Sequence, residues 1–248
     1  MTDDEKASFI CVGSQKCGTT ALYEYLRQHS NLQIAPCKEI HFFDDEKQVD
    51  WIDPDYDVYH DKFGTPDGRL RGELTPIYMY WPQSMERIKI YRPSMRIIMI
   101  FRDPVERAYS QWRMEIARAG DDRPFAWAIR QGRARVDDVT APGHHRVYSY
   151  VERGFYARQI ERAYNLFSKD HVLTLAANDL KSDPNTTLDR ICDFLGVPNF
   201  PNLPSDIRAN VGHGPERLPP ISAEDRSYLH SIYEEDQARL AALTGLRL

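Results

Sequence analysis

Between residues 9 and 20 the chain reads Phe-Ile-Cys-Val-Gly-Ser-Gln-Lys-Cys-Gly-Thr-Thr, with Gly13 and Gly18 five positions apart. A short β-rich apolar run, a glycine-bearing turn, and then Leu22, Tyr25 and Leu26 at helical spacing describe a strand, a loop and a helix N-terminus. In such a turn, free backbone N–H groups and the positive end of the helix dipole converge on one point, which makes it an anion cradle. The spacing matches the opening of a phosphate loop. The next position does not: a nucleotide triphosphatase places lysine directly after the second glycine, whereas here Thr19 stands there and Lys16 precedes the glycine by two. The amides of Cys17, Gly18, Thr19 and Thr20, with the two threonine hydroxyls, are therefore expected to hold an anionic group without gripping a Mg-bound γ-phosphate in the usual way.

Two further groupings carry chemistry. In Lys38-Glu-Ile-His-Phe-Phe-Asp44, Glu39 is a candidate general base whose pKa partial burial would raise. His41 competes for that role because an imidazole titrates near neutrality unaided. An extended segment would put both side chains on one side, so they can act together. Arg102 and Ser110 are eight positions apart, about two helical turns. A guanidinium and a hydroxyl facing one point suit a phosphate. Spacing alone leaves open the alternative that Arg102 pairs with Asp103 or Glu106 at the helix start.

These residues need a scaffold. Residues 32–36, 70–74, 95–101 and 171–175 read as further strands, the third of them nearly continuous and rich in isoleucine. Helices are expected from 19 to about 30, over 83–91, from Pro104 to about 119, briefly over 125–129, and over 155–167, 186–195 and 223–243. Gly196 closes the helix that precedes it. Strands alternating with helices argue for a parallel sheet covered on both faces. Its ligands would bind beyond the carboxyl ends of the strands, where Glu39 and His41 fall. Residues 45–68 read as irregular surface structure with a short helix, 133–145 as a lid-like or acceptor-binding loop, and 199–220 as a long ordered loop.

The order of these motifs resembles one family. Gln15-Lys-Cys-Gly-Thr-Thr20 is similar to the 5′-phosphosulfate-binding loop of sulfotransferases that use 3′-phosphoadenosine 5′-phosphosulfate (PAPS). Lys38 to Asp44, Gly72-Glu-Leu-Thr-Pro-Ile-Tyr78 and Phe101-Arg-Asp-Pro-Val-Glu-Arg-Ala-Tyr-Ser110 follow in the family's order. Together they resemble the branch that contains heparan sulfate sulfotransferases and their soluble bacterial relatives. The resemblance implies an α/β, three-layer P-loop-like fold with a central parallel sheet flanked by helices, in a single domain spanning 1–248. It implies PAPS as donor and 3′-phosphoadenosine 5′-phosphate (PAP) as product. Lys16 would stabilise the leaving phosphate, Glu39 would act as base with His41 in support, and Arg102 and Ser110 would bind the 3′-phosphate. Two departures stand out. Heparan sulfate enzymes commonly have lysine before Ser/Thr-Pro, where this chain has Leu74, and Glu73 beside it reads as a second pocket carboxylate or an ion-pair partner of Arg71. The segment 210–217 matches the family's cofactor loop only loosely, with His213 and Arg217 as candidate contacts. Tyr78, Tyr80, Trp81, His144 and His145 are candidates for lining an acceptor pocket, with loops 45–68 and 120–153 around it.

Composition sets outer limits. The chain has 248 residues and a net charge of −5, which argues against broad nucleic-acid binding and against a strongly polyanionic acceptor. The preferred acceptor is a small molecule or glycoside, sulfated on a hydroxyl or an amine. Cys11, Cys17, Cys37 and Cys192 lack metal-ligand spacing and read as free thiols in a reducing compartment. The first residues are acidic and polar, unlike a signal peptide, and no apolar run reaches membrane-spanning length, so a cytoplasmic protein is expected. The resemblance implies transfer of a sulfuryl group with little charge of its own, for which no metal is obligatory. The competing readings are a P-loop kinase or nucleotide triphosphatase, and a non-catalytic nucleotide-binding module.

Overall fold

The computed structural model describes residues 6–137, 141–202, 207 and 218–248. Five parallel strands, β1 (Phe9–Gly13), β2 (Leu32–Ile34), β3 (Leu70–Leu74), β4 (Arg96–Phe101) and β5 (Val172–Ala176), form one sheet in the order β2-β3-β1-β4-β5. From β1 the chain runs to the edge strand β2, returns to insert β3 between them, then adds β4 and β5 on the other side of β1. The carboxyl end of β1 is therefore the switch point, where open parallel sheets bind ligands.

Alternation along the strands explains the layers. Phe9 and Cys11 of β1, with Ile98 and Ile100 of β4, pack on one face against Leu22, Tyr25 and Leu26 of α1 (Thr19–Leu26) and Leu188, Ile191 and Leu195 of α8 (Pro184–Leu195). Ile10, Val12, Ile97, Met99 and Phe101 point the other way. They meet α3 (Ser84–Tyr91), α6 (Tyr156–Leu166) and the end of α9 (Ala223–Thr244). A third apolar cluster joins α4 (Pro104–Ala117) and α5 (Phe125–Ala128) to Tyr150, Val151 and α9. The helices α2 (Tyr56–His60) and α7 (Ala177–Ser182) complete the set among the described residues.

Most expected elements are present within a residue or three of their expected ends. The helix at 177–182 had no counterpart in the sequence reading, because Ala-Asn-Asp-Leu-Lys-Ser is too short and polar to show a period. Loop 45–68 does contain its short helix, followed by one 3-10 turn at Asp61–Phe63. The expected loop 199–220 falls mostly outside the described residues, including His213 and Arg217. All four cysteines are free, three of them buried.

Candidate active site

The loop after β1 is shaped by backbone geometry. A Cβ on Gly13 would stand 1.9 Å from Met79 Sδ, so only glycine fits where β1 passes the segment after β3. Gly18 takes φ 88 as the N-cap of α1, in the left-handed region that glycine adopts freely. That helix start has no capping side chain and no acid in its first turn, which leaves its amides and dipole available to an anion. One expected donor is already engaged: the Cys17 amide donates to the Ser14 carbonyl at 3.2 Å. Its thiol is buried 3.7 Å from the Tyr156 hydroxyl. Gly18, Thr19 and Thr20 therefore remain as the candidate anion cradle, and Cys17 is buried. Thr19 is buried and Thr20 half-buried.

Lys16 has φ 70 and is half-buried, its Nζ 3.5 Å from Met114 Sδ on α4. Burial and the charge of Arg118 lower its pKa, while Glu39 and Glu115 pull it back up. The pull of Glu39 on Lys16 relates the glycine loop to the candidate base.

Glu39 lies on a loop moored to the end of β3. Its amide donates to the Leu74 carbonyl at 3.1 Å, and the amides of Phe42 and Phe43 both donate to the Tyr78 hydroxyl, at 3.0 and 3.4 Å. The segment is not extended as expected. Glu39 and His41 have φ 65 and 59, and the side chains meet through this coiled backbone, with His41 Nε2 3.6 Å from Glu39 Oε2. On its other edge His41 Nδ1 is 3.0 Å from Asp44 Oδ2. Lys38 Nζ contacts the second Glu39 oxygen. Burial presses the Glu39 carboxyl upward, but the hydrogen bond to His41 and the charge of Lys38 outweigh it and hold the group at about 2. Burial opposes charge on His41, yet the bonds to Asp44 and Glu39 raise its pKa to about 9. Glu39 is therefore an ionised carboxylate between two cations.

Leu74 is buried in the core, and Lys38 is a cation beside Glu39. Glu73 is fully buried and takes the hydroxyls of Tyr59 at 3.2 Å and Thr75 at 2.5 Å. Burial raises its pKa to about 7, against the restraint of the Thr75, Tyr78 and Tyr59 hydroxyls. It supports the mooring of the loop from below.

Arg102 follows β4, half-exposed, and its guanidinium is 3.5 Å from Glu106 one turn into α4. Asp103 instead caps that helix, accepting from the Glu106 amide at 2.9 Å. Glu106 is shared with Arg226 of α9 at 2.8 Å. Ser110 is half-buried on the same helix. The ion pair that spacing left open is formed, through Glu106.

Among the acceptor candidates, Tyr78, Tyr80 and Trp81 are buried packing residues. His144 lies against Tyr80 at 4.9 Å, and His145 stacks on Tyr148 at 4.3 Å. Four site neighbours were missed: Asp44, Arg146, Arg153 and Gln15. Asp44 ended the quoted motif and stands three residues from His41, a visible signal. The arginines reach the site from far along the chain, and no local pattern marks them. A cleft of about 650 Å³ lined by Arg130, Gln131, Arg133, Ala134, Glu152 and Tyr228 shares no residue with this site. Its arginines are engaged by Asp225 and Glu152.

A glycine loop that closes the central strand of a parallel sheet and opens a helix defines a P-loop-like α/β protein. This chain belongs to the sulfotransferase family: residues 6–212 match the family's sulfotransferase domain. It is 32% identical over 191 residues to human heparan sulfate glucosamine 3-O-sulfotransferase 6, covering 76% of this chain and 52% of that protein. It is 28% identical to mouse bifunctional heparan sulfate N-deacetylase/N-sulfotransferase 4, covering 98% of this chain and 30% of the relative. The chain thus spans about half the length, or less, of these two relatives. A sulfotransferase structure from Alicyclobacillus acidocaldarius superposes with TM-score 0.80 at 25% identity, covering 98% of this chain and 97% of the other. Mouse sulfotransferase SULT7A1 complexed with PAP shares the fold, with TM-score 0.55 at 15% identity over 94% of this chain and 84% of the other.

Proposed function

We propose that this chain transfers the sulfuryl group of PAPS to a hydroxyl or amine of a small-molecule or glycoside acceptor, with 1–248 acting as one catalytic domain. One observation carries the reading: the uncapped helix start at Gly18 follows the central strand, and the Glu39 loop is moored to the end of the adjacent strand β3, both at the switch point of the sheet. PAPS supplies an activated sulfuryl group whose transfer by in-line displacement needs no metal.

The residues divide the work. Gly18, Thr19 and Thr20 hold the 5′-phosphate end through the helix-start amides and hydroxyls, and Lys16 places positive charge where the leaving phosphate gains negative charge. Glu39 accepts the proton of the acceptor, and His41, fixed by Asp44, orients that carboxylate. Lys38 takes the place of the cation absent at Leu74. Arg102 and Ser110 receive the 3′-phosphate once Arg102 leaves Glu106; Arg217 is a further contact. Loops 45–68 and 120–153 flank the acceptor. Loop 45–68 carries Asp45, Glu46, Asp50, Asp53, Asp55, Asp57, Asp61 and Asp67 against Lys47 and Lys62, which disfavours a heavily sulfated polymer. No helix among the described residues is long and apolar enough to cross a membrane, and a cytoplasmic setting is our reading.

Calorimetric titration with PAP, beside ATP with and without magnesium, tests the donor. Preferential PAP binding that is lost in Arg102→Ala supports the assignment, and preference for magnesium-ATP replaces it with a kinase. Transfer of radiolabelled sulfate from PAPS to panels of phenols, amines, glycosides and heparin-like oligosaccharides then identifies the acceptor. Exclusive sulfation of the heparin-like oligosaccharides would overturn the small-acceptor reading.

A further inference from the structure

Arg153 lies immediately before Gly154 and is 1% exposed. Its Nη1 donates to Gln15 Oε1 in the donor loop. Its Nη2 donates to the Arg146 carbonyl at 2.6 Å and the His145 carbonyl at 3.3 Å, and its Nε to Ser149 Oγ at 2.8 Å. One guanidinium thus ties the loop after β1 to the strap at 145–149. Arg146 of that strap reaches the base from the other side. It donates to the Asp44 carboxylate and the Asp44 carbonyl while lying 4.1 Å over the Trp81 ring. Asp44 holds His41 Nδ1 at 3.0 Å, and His41 Nε2 faces Glu39. The contacts run unbroken from the donor loop to the candidate base.

The chemistry of Arg153 marks this as more than packing. All its hydrogen-bond acceptors are neutral, and no carboxylate lies within 4.0 Å of it among the described residues. A buried cation hydrogen-bonded only to neutral acceptors is costly, and an apolar side chain of like size would fill the space with less penalty. Burial lowers its pKa to about 10; Tyr80, whose ring lies 5.0 Å from the guanidinium, and Glu115 pull it back up, while the neighbouring buried Arg107 adds to the lowering. The fork geometry, which lysine lacks, grips two chain segments at once.

We propose that Arg153 and Arg146 are positioning residues that couple the donor loop to the base, so that a change at Asp44 or its clamp is felt in donor affinity. The inference rests on the sulfotransferase reading for the identity of the donor. Arg146 touches neither the loop nor Glu39 directly; Arg153, which donates to its carbonyl, joins it to the loop by hydrogen bonds.

A double-mutant cycle on PAP affinity, with Arg146→Lys and Arg153→Gln, tests this. Arg153→Gln weakens PAP binding by about 10-fold, and Arg146→Lys by about 5-fold although its charge is kept. In the double variant the Arg146→Lys effect disappears, because the route is already cut. Additive losses, or no effect of Arg146→Lys, overturn the coupling, since a general loss of stability or a through-space charge effect would persist in both backgrounds. Amide hydrogen exchange gives a second readout that needs no ligand. Arg153→Gln speeds exchange across 42–45, a segment it does not touch, while β4 keeps its protection. Unchanged exchange at 42–45 also overturns the proposal. A wild type that binds no PAP would refute the donor reading, and the exchange result would still decide the brace.

Discussion

Glu39 combines two properties that seem opposed in a base: it is ionised far below neutrality, and it is gripped by Lys38 and His41. A carboxylate so held is a weak base for a free alcohol. It suits an acceptor whose hydroxyl loses its proton late, when the bond to sulfur is already forming. Glu39→Gln keeps the shape and removes the proton acceptor, so turnover should fall by about 10²- to 10⁴-fold with PAP affinity within about two-fold of wild type. Radiolabel transfer and calorimetry check the two halves. His41 carries a pH signature. Its pKa rises from 6.5 to about 9 in the folded protein, so its contribution to stability is full below 6.5 and is lost as pH rises through about 9. That of Glu39, lowered from 4.5 to about 2, is full above 4.5 and is lost as pH falls toward 2. The difference in urea midpoint between wild type and His41→Gln should therefore be greatest between about pH 4.5 and 6.5 and vanish above about pH 9. A flat difference would mean that His41 is not charged in this pair.

At the scale of elements, the site depends on how loops are moored to strand ends. The Tyr78 hydroxyl receives two successive amides of the 38–44 segment from inside the core. Tyr78→Phe leaves both buried donors without that acceptor and should cost about 1–3 kcal/mol in urea unfolding, with a rate loss beyond what the folded fraction explains. Gly13→Ala forces a methyl into Met79 and should cost about 1–3 kcal/mol or more. Gly18→Ala meets open space, and its cost is that of the left-handed backbone alone, about 1–2 kcal/mol. The strands are legible as short apolar runs because the sheet is covered on both faces, and the long helices because one-sided burial writes a period of 3.6 into the residues. Lys16, Glu39, His41, Arg102 and Ser110 were legible through type and local spacing. The left-handed turns at Glu39 and His41 were not, because nothing in Lys-Glu-Ile-His marks a positive φ. Tyr78 was read as a pocket aromatic, since its sequence says nothing of which way the ring faces. Arg146 and Arg153 stayed hidden because their partners, Asp44 and Gln15, lie more than a hundred residues away.

The whole molecule is closed by its last helix. Asp236 on α9 accepts the Ala157 amide at 3.1 Å, capping the start of α6 across the tertiary structure. Asp236→Ala removes that acceptor and the negative charge at a helix start, and should cost about 1–3 kcal/mol by chemical denaturation, with little change in PAP affinity. The same helix buries Leu229, Tyr233 and Leu240, so it ties the cluster around α4 to the core beneath the sheet. Strand order has a consequence for how the protein is made. The central strand, β1, is synthesised before either neighbour, and it pairs with β3 and β4 rather than with β2. At about 5–20 residues per second, Phe9–Gly13 waits roughly 5–20 s for residue 101 to follow it from the ribosome. Until residue 74 has followed it β1 has neither partner strand, and until residue 101 its second edge stays unpaired and open to other chains. Yield on expression should therefore depend more on temperature and chaperone supply than the stability of the finished fold would suggest.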